Sequence, residues 1–131
     1  MYYYKAYGLV IKSNIFFPQL LPIGENDVET IDVEITVCDS EETSLNEEEI
    51  EKSGKFYGKT KKGIWFNNQA GKFKIETIGN KSYINCTKYA DVHISNVRSF
   101  ILGNVSAIML TQRGKIVIPF IADLRNMFIK Y

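Results

Sequence analysis

The chain has 131 residues, 45% of them hydrophobic and 24% charged, with a formal net charge of +1 at pH 7. That is the length of one ordinary domain, and a chain of this size buries roughly two-thirds of its unfolded surface. The composition therefore excludes a disordered chain and a mini-protein dependent on disulfide or metal staples, and the charge supplies no field to recruit nucleic acid or anionic lipid.

No apolar run reaches the roughly 20 residues that a membrane helix needs. The start, Met1 to Lys5, lacks the basic and apolar runs of a secretion signal. The two cysteines, Cys38 and Cys86, stand far apart and outside any C-x-x-C unit, which reads as small buried hydrophobes of a reducing compartment. The triplets at Asn80, Asn85 and Asn104 match the glycosylation spelling alone. A soluble, cytoplasmic protein is expected.

Tyr2 to Ile11 alternates loosely and predicts a first strand. Pro18 and Pro22 bracket Leu20 and Leu21, which predicts a structured connection lying against the core. From Val28 to Val37 the alternation is clean, with Ile31, Val33, Ile35 and Val37 on one face and Asp32, Glu34 and Thr36 on the other. This is the pattern of a half-buried strand. Asp39 to Lys52 is polar and acidic: Ser44 and Glu47 spell a capping box for a short helix, and a solvated loop fits equally.

Gly54, Gly58, Gly63 and Gly71 then punctuate an aromatic region in which Phe56–Tyr57 and Ile64–Trp65–Phe66 read as short strands. Residues 73–78 and 82–87 read as a hairpin turning at Gly79–Asn80–Lys81. Beyond it the period changes from two to about 3.6. Val97, Ile101, Val105, Ile108 and Met109 share one helical face with Phe100 at its margin, which predicts one long helix over about 95–113. Ser95 or Asp91 is the expected cap, Arg113 suits the last turn, and Gly114 the left-handed exit. Gly103 inside that helix predicts close packing on the sheet. Lys115 to Ala122 reads as a strand interrupted by Pro119 and so at an edge, while Asp123 to Tyr131 reads as helix or strand. No internal period repeats. The expected whole is a single α+β domain over 1–131, a mainly antiparallel sheet with the long helix packed on one face.

No chemistry stands out. "GKFYGKT", Gly54 to Thr60, misses the G-x-x-x-x-G-K-[ST] phosphate loop by one residue, and its Phe56 and Tyr57 suit a strand better than a cradle. His93 is the sole histidine, and any Ser-His-Asp or Cys-His mechanism would run through it. It stands just before the helix, where a solvated or capping role is the ordinary one. His93, Cys38 and Cys86 have no zinc-ligand spacing. Glu47, Glu48, Glu49 and Glu51 lack an apolar wall to shift a pKa and read as a solvated face. The basic run Lys52, Lys55, Lys59, Lys61 and Lys62 interleaves with aromatics in the manner of single-strand binders, but the acidic run before it opposes that field. Catalytic, nucleotide, metal and cofactor sites are therefore not expected. The candidate partner-binding residues are Phe56, Tyr57, Trp65 and Phe66, beside a strand edge able to accept an extended peptide.

Two segments carry a resemblance. "YYKAYGLVIKSNIFFPQL", Tyr3 to Leu20, resembles the opening of the HPr kinase-like proteins associated with modified-peptide biosynthesis, lasso-peptide kinases among them. "VRSFILGNVSAIMLTQRGKIVI", Val97 to Ile118, resembles that family's helix ending in Gln-Arg-Gly before the strand that leads to the kinase core. The resemblance implies the N-terminal, non-catalytic lead-in domain. Family members continue with a His-Ala-Ser-like strand and a Gly-rich loop ending in Lys and Ser or Thr, whereas this sequence reads Pro119–Phe120–Ile121–Ala122 and stops at Tyr131. None of the family's nucleotide or catalytic residues carries over. The expectation is a non-catalytic accessory domain, not an enzyme, that binds a protein or peptide such as a kinase domain or precursor peptide. It is not expected to bind nucleic acid or membrane, and self-association is left open. The alternative is a piece of a Ser kinase active only with a P-loop domain.

Overall fold

The computed structural model describes residues 1–42 and 56–115. The Ser44–Glu47 capping box, the glutamate run, Lys52, Lys55, the strand expected after Lys115 and the last segment lie outside the described residues.

The described chain is α+β: one eight-stranded sheet and one helix of two α segments joined by a π turn. The strands are β1 (Tyr2–Ala6), β2 (Leu9–Ser13), β3 (Leu21–Pro22), β4 (Val33–Asp39), β5 (Tyr57–Lys59), β6 (Gly63–Asn67), β7 (Gly71–Ile78) and β8 (Lys81–Lys88). Their order across the sheet is β3-β1-β2-β4-β8-β7-β6-β5. The pairs β2–β4 and β4–β8 are parallel and the rest antiparallel.

The first expected strand is two strands. Ala6 pairs with Leu9 across a two-residue turn, and Tyr7 and Gly8 both take positive φ, 57° and 72°. That is a type I′ turn, which suits the twist of a hairpin but normally recruits Asn-Gly. A tyrosine in the left-handed region costs about 1–2 kcal/mol, so the sequence carries no ordinary turn signal there. The Tyr7 carbonyl accepts a hydrogen bond from Lys115 Nζ, tying the turn to the chain leaving the helix.

The proline-bracketed connection lies against the core as expected. Phe17 is fully buried, its amide donates to the Tyr4 hydroxyl at 2.8 Å, and its ring meets Tyr4 edge-on. Within it Leu21–Pro22 forms the short edge strand on β1, a place where proline's missing N–H is tolerated.

β4 begins at Val33, five residues later than the alternation suggested. Asp32 explains the start, because it faces β2 with both backbone and side chain: its amide donates to the Val10 carbonyl, and its carboxylate accepts the Val10 amide. Past the other end of the β2–β4 pairing, the Asn14 side-chain amide exchanges two hydrogen bonds with the Val37 backbone, at 2.8 and 2.9 Å. It extends the ladder with a side chain. The β7–β8 hairpin is as the sequence indicates, with Ile78 paired to Lys81 and Gly79 at φ 61°.

The helix runs as α1 (Ile94–Phe100), a π-helical turn (Ile101–Val105) and α2 (Ser106–Gln112). Its cap is His93, not Ser95 or Asp91: the His93 Nδ1 accepts the Ser95 amide at 3.1 Å. Val97, Ile101, Val105, Ile108 and Met109 are buried as the period requires. The π turn adds a residue and rotates the face, so that Ala107 and Leu110 are buried too. The Ser106 hydroxyl bonds the Ile101 carbonyl, five residues back. Gly103 corrects an expectation. A Cβ there would meet nothing within 4 Å, so it lies in the π turn with open space around it and not in close contact with the sheet.

Helix and sheet enclose one core that includes Ile35, Phe73, Ile75, Ile84, Ile101 and Met109. The helix end is fastened by polar groups. Gln112 Nε2 donates to the Ile75 carbonyl and its Oε1 accepts from Thr77 Oγ1, both at 2.8 Å. Arg113 Nη1 donates to the Asn80 carbonyl at 3.0 Å and Ser82 Oγ at 3.1 Å. Gly114, at φ 76°, makes the expected left-handed exit. None of the described helices is long and apolar enough to cross a membrane.

Candidate functional site: the sheet face opposite the helix

Strand alternation gives the sheet two unlike faces. Phe73, Ile75, Ile84, Cys86, Val33 and Ile35 are buried toward the helix, and their neighbours project the other way. Register arranges those outward residues in rows. One row runs Asn67, Lys72, Thr87, Cys38. The next runs Gly58, Trp65, Lys74, Asn85, Thr36. A third runs Glu76, Tyr83, Glu34, Lys12.

The first two rows bound a shallow bay of about 400 Å3, lined by Trp65, Asn67, Lys72, Lys74, Asn85 and Thr87. Trp65 is half-buried and supplies its apolar wall. Asn85, Lys72 and Lys74 are exposed. Lys72 Nζ holds the Glu42 carboxylate at 3.0 Å, and Lys74 Nζ stands 3.8 Å from Glu76. The third row is already knit together: Glu76 accepts from Thr60 Oγ1 at 2.7 Å, Lys81 pairs with Glu34 at 3.0 Å, and Lys81 Nζ lies 5.2 Å from the centre of the Tyr83 ring. The Glu34 hydrogen bond is the main reason that the Lys81 ammonium is held above its ordinary pKa, against an opposing desolvation.

The four aromatic candidates separate across the sheet. Phe66 is buried on the helix side and stacked on Phe73, with ring centres 5.0 Å apart. Tyr57 is paired with Phe66 and packs against the same core. Phe56 is half-buried and meets the Tyr57 ring edge-on. Of the four, Trp65 alone lines the bay. Lys72, Lys74, Asn67, Asn85 and Thr87 were not picked out by the sequence, although the alternation of Lys74 against Phe73 and Ile75 already turned Lys74 outward.

The remaining sequence candidates have structural places. Within the near-miss loop, Tyr57–Lys59 is extended strand and the Thr60 hydroxyl is committed to Glu76. The basic run is not continued into the bay by Lys59, which lies on β5 with its neighbour Tyr57. His93 caps the helix and also contacts Ser95 Oγ at 2.8 Å. Cys38 is exposed and Cys86 buried, both as free thiols. Burial, first, and then the neighbouring Cys38 push the Cys86 thiol up to about 12, against the pull of Lys88. A thiol so placed is not a nucleophile at neutral pH. Among the described residues no three His, Cys, Asp or Glu side chains cluster in a metal-holding group.

Comparison of the chain with protein-family models, with curated proteins and with solved structures finds no match in any of the three.

Proposed function

We propose that this chain is a non-catalytic recognition domain of the HPr kinase-like type, which docks an extended segment of a protein or peptide partner on the sheet face opposite the helix. One observation carries this: among the described residues the helix covers one side of the sheet, while the other keeps a tryptophan-walled bay lined by amide and hydroxyl groups. Burial of the Trp65 indole and hydrogen bonding to Asn67, Asn85 and Thr87 are the two contributions that an extended segment would draw from such a surface. The likeness of Tyr3–Leu20 and Val97–Ile118 to the lead-in domain supports the accessory role.

The test is a panel of fluorescein-labelled extended peptides, neutral and charged, titrated with the purified chain and followed by anisotropy. At least one is expected to bind saturably and to lose five-fold or more in affinity with Trp65→Ala. Binding by none of them, or binding indifferent to that substitution, removes the proposal.

The second reading is a piece of a phosphotransferase. It draws on the fastening of Gln112 and Arg113 to β7 and to the β7–β8 end, within the Gln-Arg-Gly helix end that the resemblance places before a kinase core. ATP turnover by the chain only when a P-loop domain is added would favour it.

A further inference from the structure

We infer that the cavity between the start of the helix and the β6–β7 turn binds a small uncharged aromatic molecule, a single ring carrying an amide or a hydroxyl group. This site lies on the helix side of the sheet and is independent of the docking reading above.

The first ground is the make-up of the cavity, which measures about 300 Å3. Buried Ala70 with half-buried Val92 and Phe100 supplies its apolar wall, and Gln69, Asn96 and Ser99 are its exposed polar groups. Small-molecule sites have this composition, an apolar lining with a few polar groups that orient the ligand. A dry apolar cavity of roughly 150 Å3 already holds a benzene ring, so one ring with one polar substituent matches the space. No ionisable side chain lines the cavity among the described residues. A charged ligand would lose hydration there without gaining a partner.

The second ground is the series of rings that ends at the cavity. Phe66 stacks on Phe73 with ring centres 5.0 Å apart, and Phe73 meets Phe100 at 6.2 Å and 59°. The series runs from the sheet to the helix and reaches the cavity at half-buried Phe100. A ligand ring beside Phe100 extends it at the roughly 4.5–7 Å spacing that aromatic pairs favour. Phe100 is also the last residue before the π turn, an irregularity frequent at functional sites. The polar substituent finds partners as well. The side chains of Gln69 and Asn96 make no hydrogen bond among the described residues. The Ser99 hydroxyl donates to the Ser95 carbonyl at 3.1 Å, which leaves its oxygen able to accept.

The probes are benzamide, benzoate, benzylamine and cyclohexanecarboxamide, each titrated into the isotope-labelled full chain and followed by amide NMR shifts. Benzamide is expected to bind saturably, moving the amides of Ala70, Val92, Ser99 and Phe100 and leaving those of Trp65 and Asn85 in place. The other three probes are expected to bind at least five-fold more weakly. Phe100→Leu keeps an apolar side chain but removes the ring, and Asn96→Ala removes an amide at an exposed position. Each should weaken benzamide at least three-fold, and an unchanged circular dichroism spectrum verifies that the variants are folded. Equal binding of cyclohexanecarboxamide overturns the aromatic assignment, and equal binding of benzoate or benzylamine overturns the uncharged one. Affinity unchanged in both variants, shifts centred elsewhere, or no shift up to the solubility of benzamide overturns the site itself. The peptide panel of the preceding test reports on the opposite face of the sheet, so its outcome and this one are separate.

Discussion

The Trp65 indole lies over Gly58, its partner on the neighbouring strand, so closely that a Cβ on Gly58 would stand 2.5 Å from Nε1. The ring is held against bare backbone, and that position sets the wall of the bay.

Substitution at Gly58 is therefore expected to act on the site more than on the fold. Gly58→Val pushes the indole aside, so Trp65 emission shifts and peptide affinity falls at least five-fold. β5 lies at the sheet edge in the described chain and valine suits a strand, so the thermal midpoint should move by only a few degrees. A variant with unchanged emission and affinity would show that the ring does not depend on this glycine.

The end of the helix is expected to behave as a polar clasp. Gln112→Ala removes bonds to Thr77 and the Ile75 carbonyl and should cost about 1–2 kcal/mol in urea unfolding. Thr77→Val, which leaves the Gln112 oxygen and Ser82 hydroxyl without that partner, should be non-additive with it. Strict additivity would mean that the two side chains act apart.

Two glycines are expected to respond with opposite sign. Gly103→Ala meets open space and should stabilise by about 0.5–1 kcal/mol, the helix preference of alanine over glycine. At Gly63 a Cβ would overlap the Ile75 carbonyl that Gln112 uses, so Gly63→Ala should destabilise clearly. Chemical denaturation of the two variants checks both signs.

The thiols differ in reactivity. With an aromatic disulfide reagent at pH 8, one equivalent should react in the native protein, at Cys38, and the second only on unfolding. The folded pKa of Cys86, about 12, lies above its ordinary 9.0. The folded state thus holds a proton that the unfolded state releases. Its contribution to stability is complete below pH 9 and is lost as pH rises from there toward 12. A native protein that releases two fast equivalents would contradict the burial of Cys86.

The architecture was largely legible in the sequence. The switch of period near residue 94 marked the helix, and Val97, Ile101, Val105, Ile108 and Met109 marked its buried face, because the helical repeat forces residues three and four apart onto one side. The β7–β8 hairpin was equally plain from Gly79–Asn80. The first hairpin was hidden, since its turn places Tyr7 where glycine or asparagine would have announced it. The π turn was hidden as well, for a one-residue insertion leaves most of the apolar pattern in place.

By itself, the sequence determined which residues face the core, because alternation and helical period are properties of a local chain. Only the tertiary structure decided that Tyr57 packs with Phe66, and that Trp65 joins Lys72, Lys74, Asn85 and Thr87. Those residues lie on three strands, and the register between strands is set by turns, by the Asp32 and Asn14 side chains, and by burial of the opposite face. No spacing along the chain contains that information, so the bay comes into being only when the sheet closes.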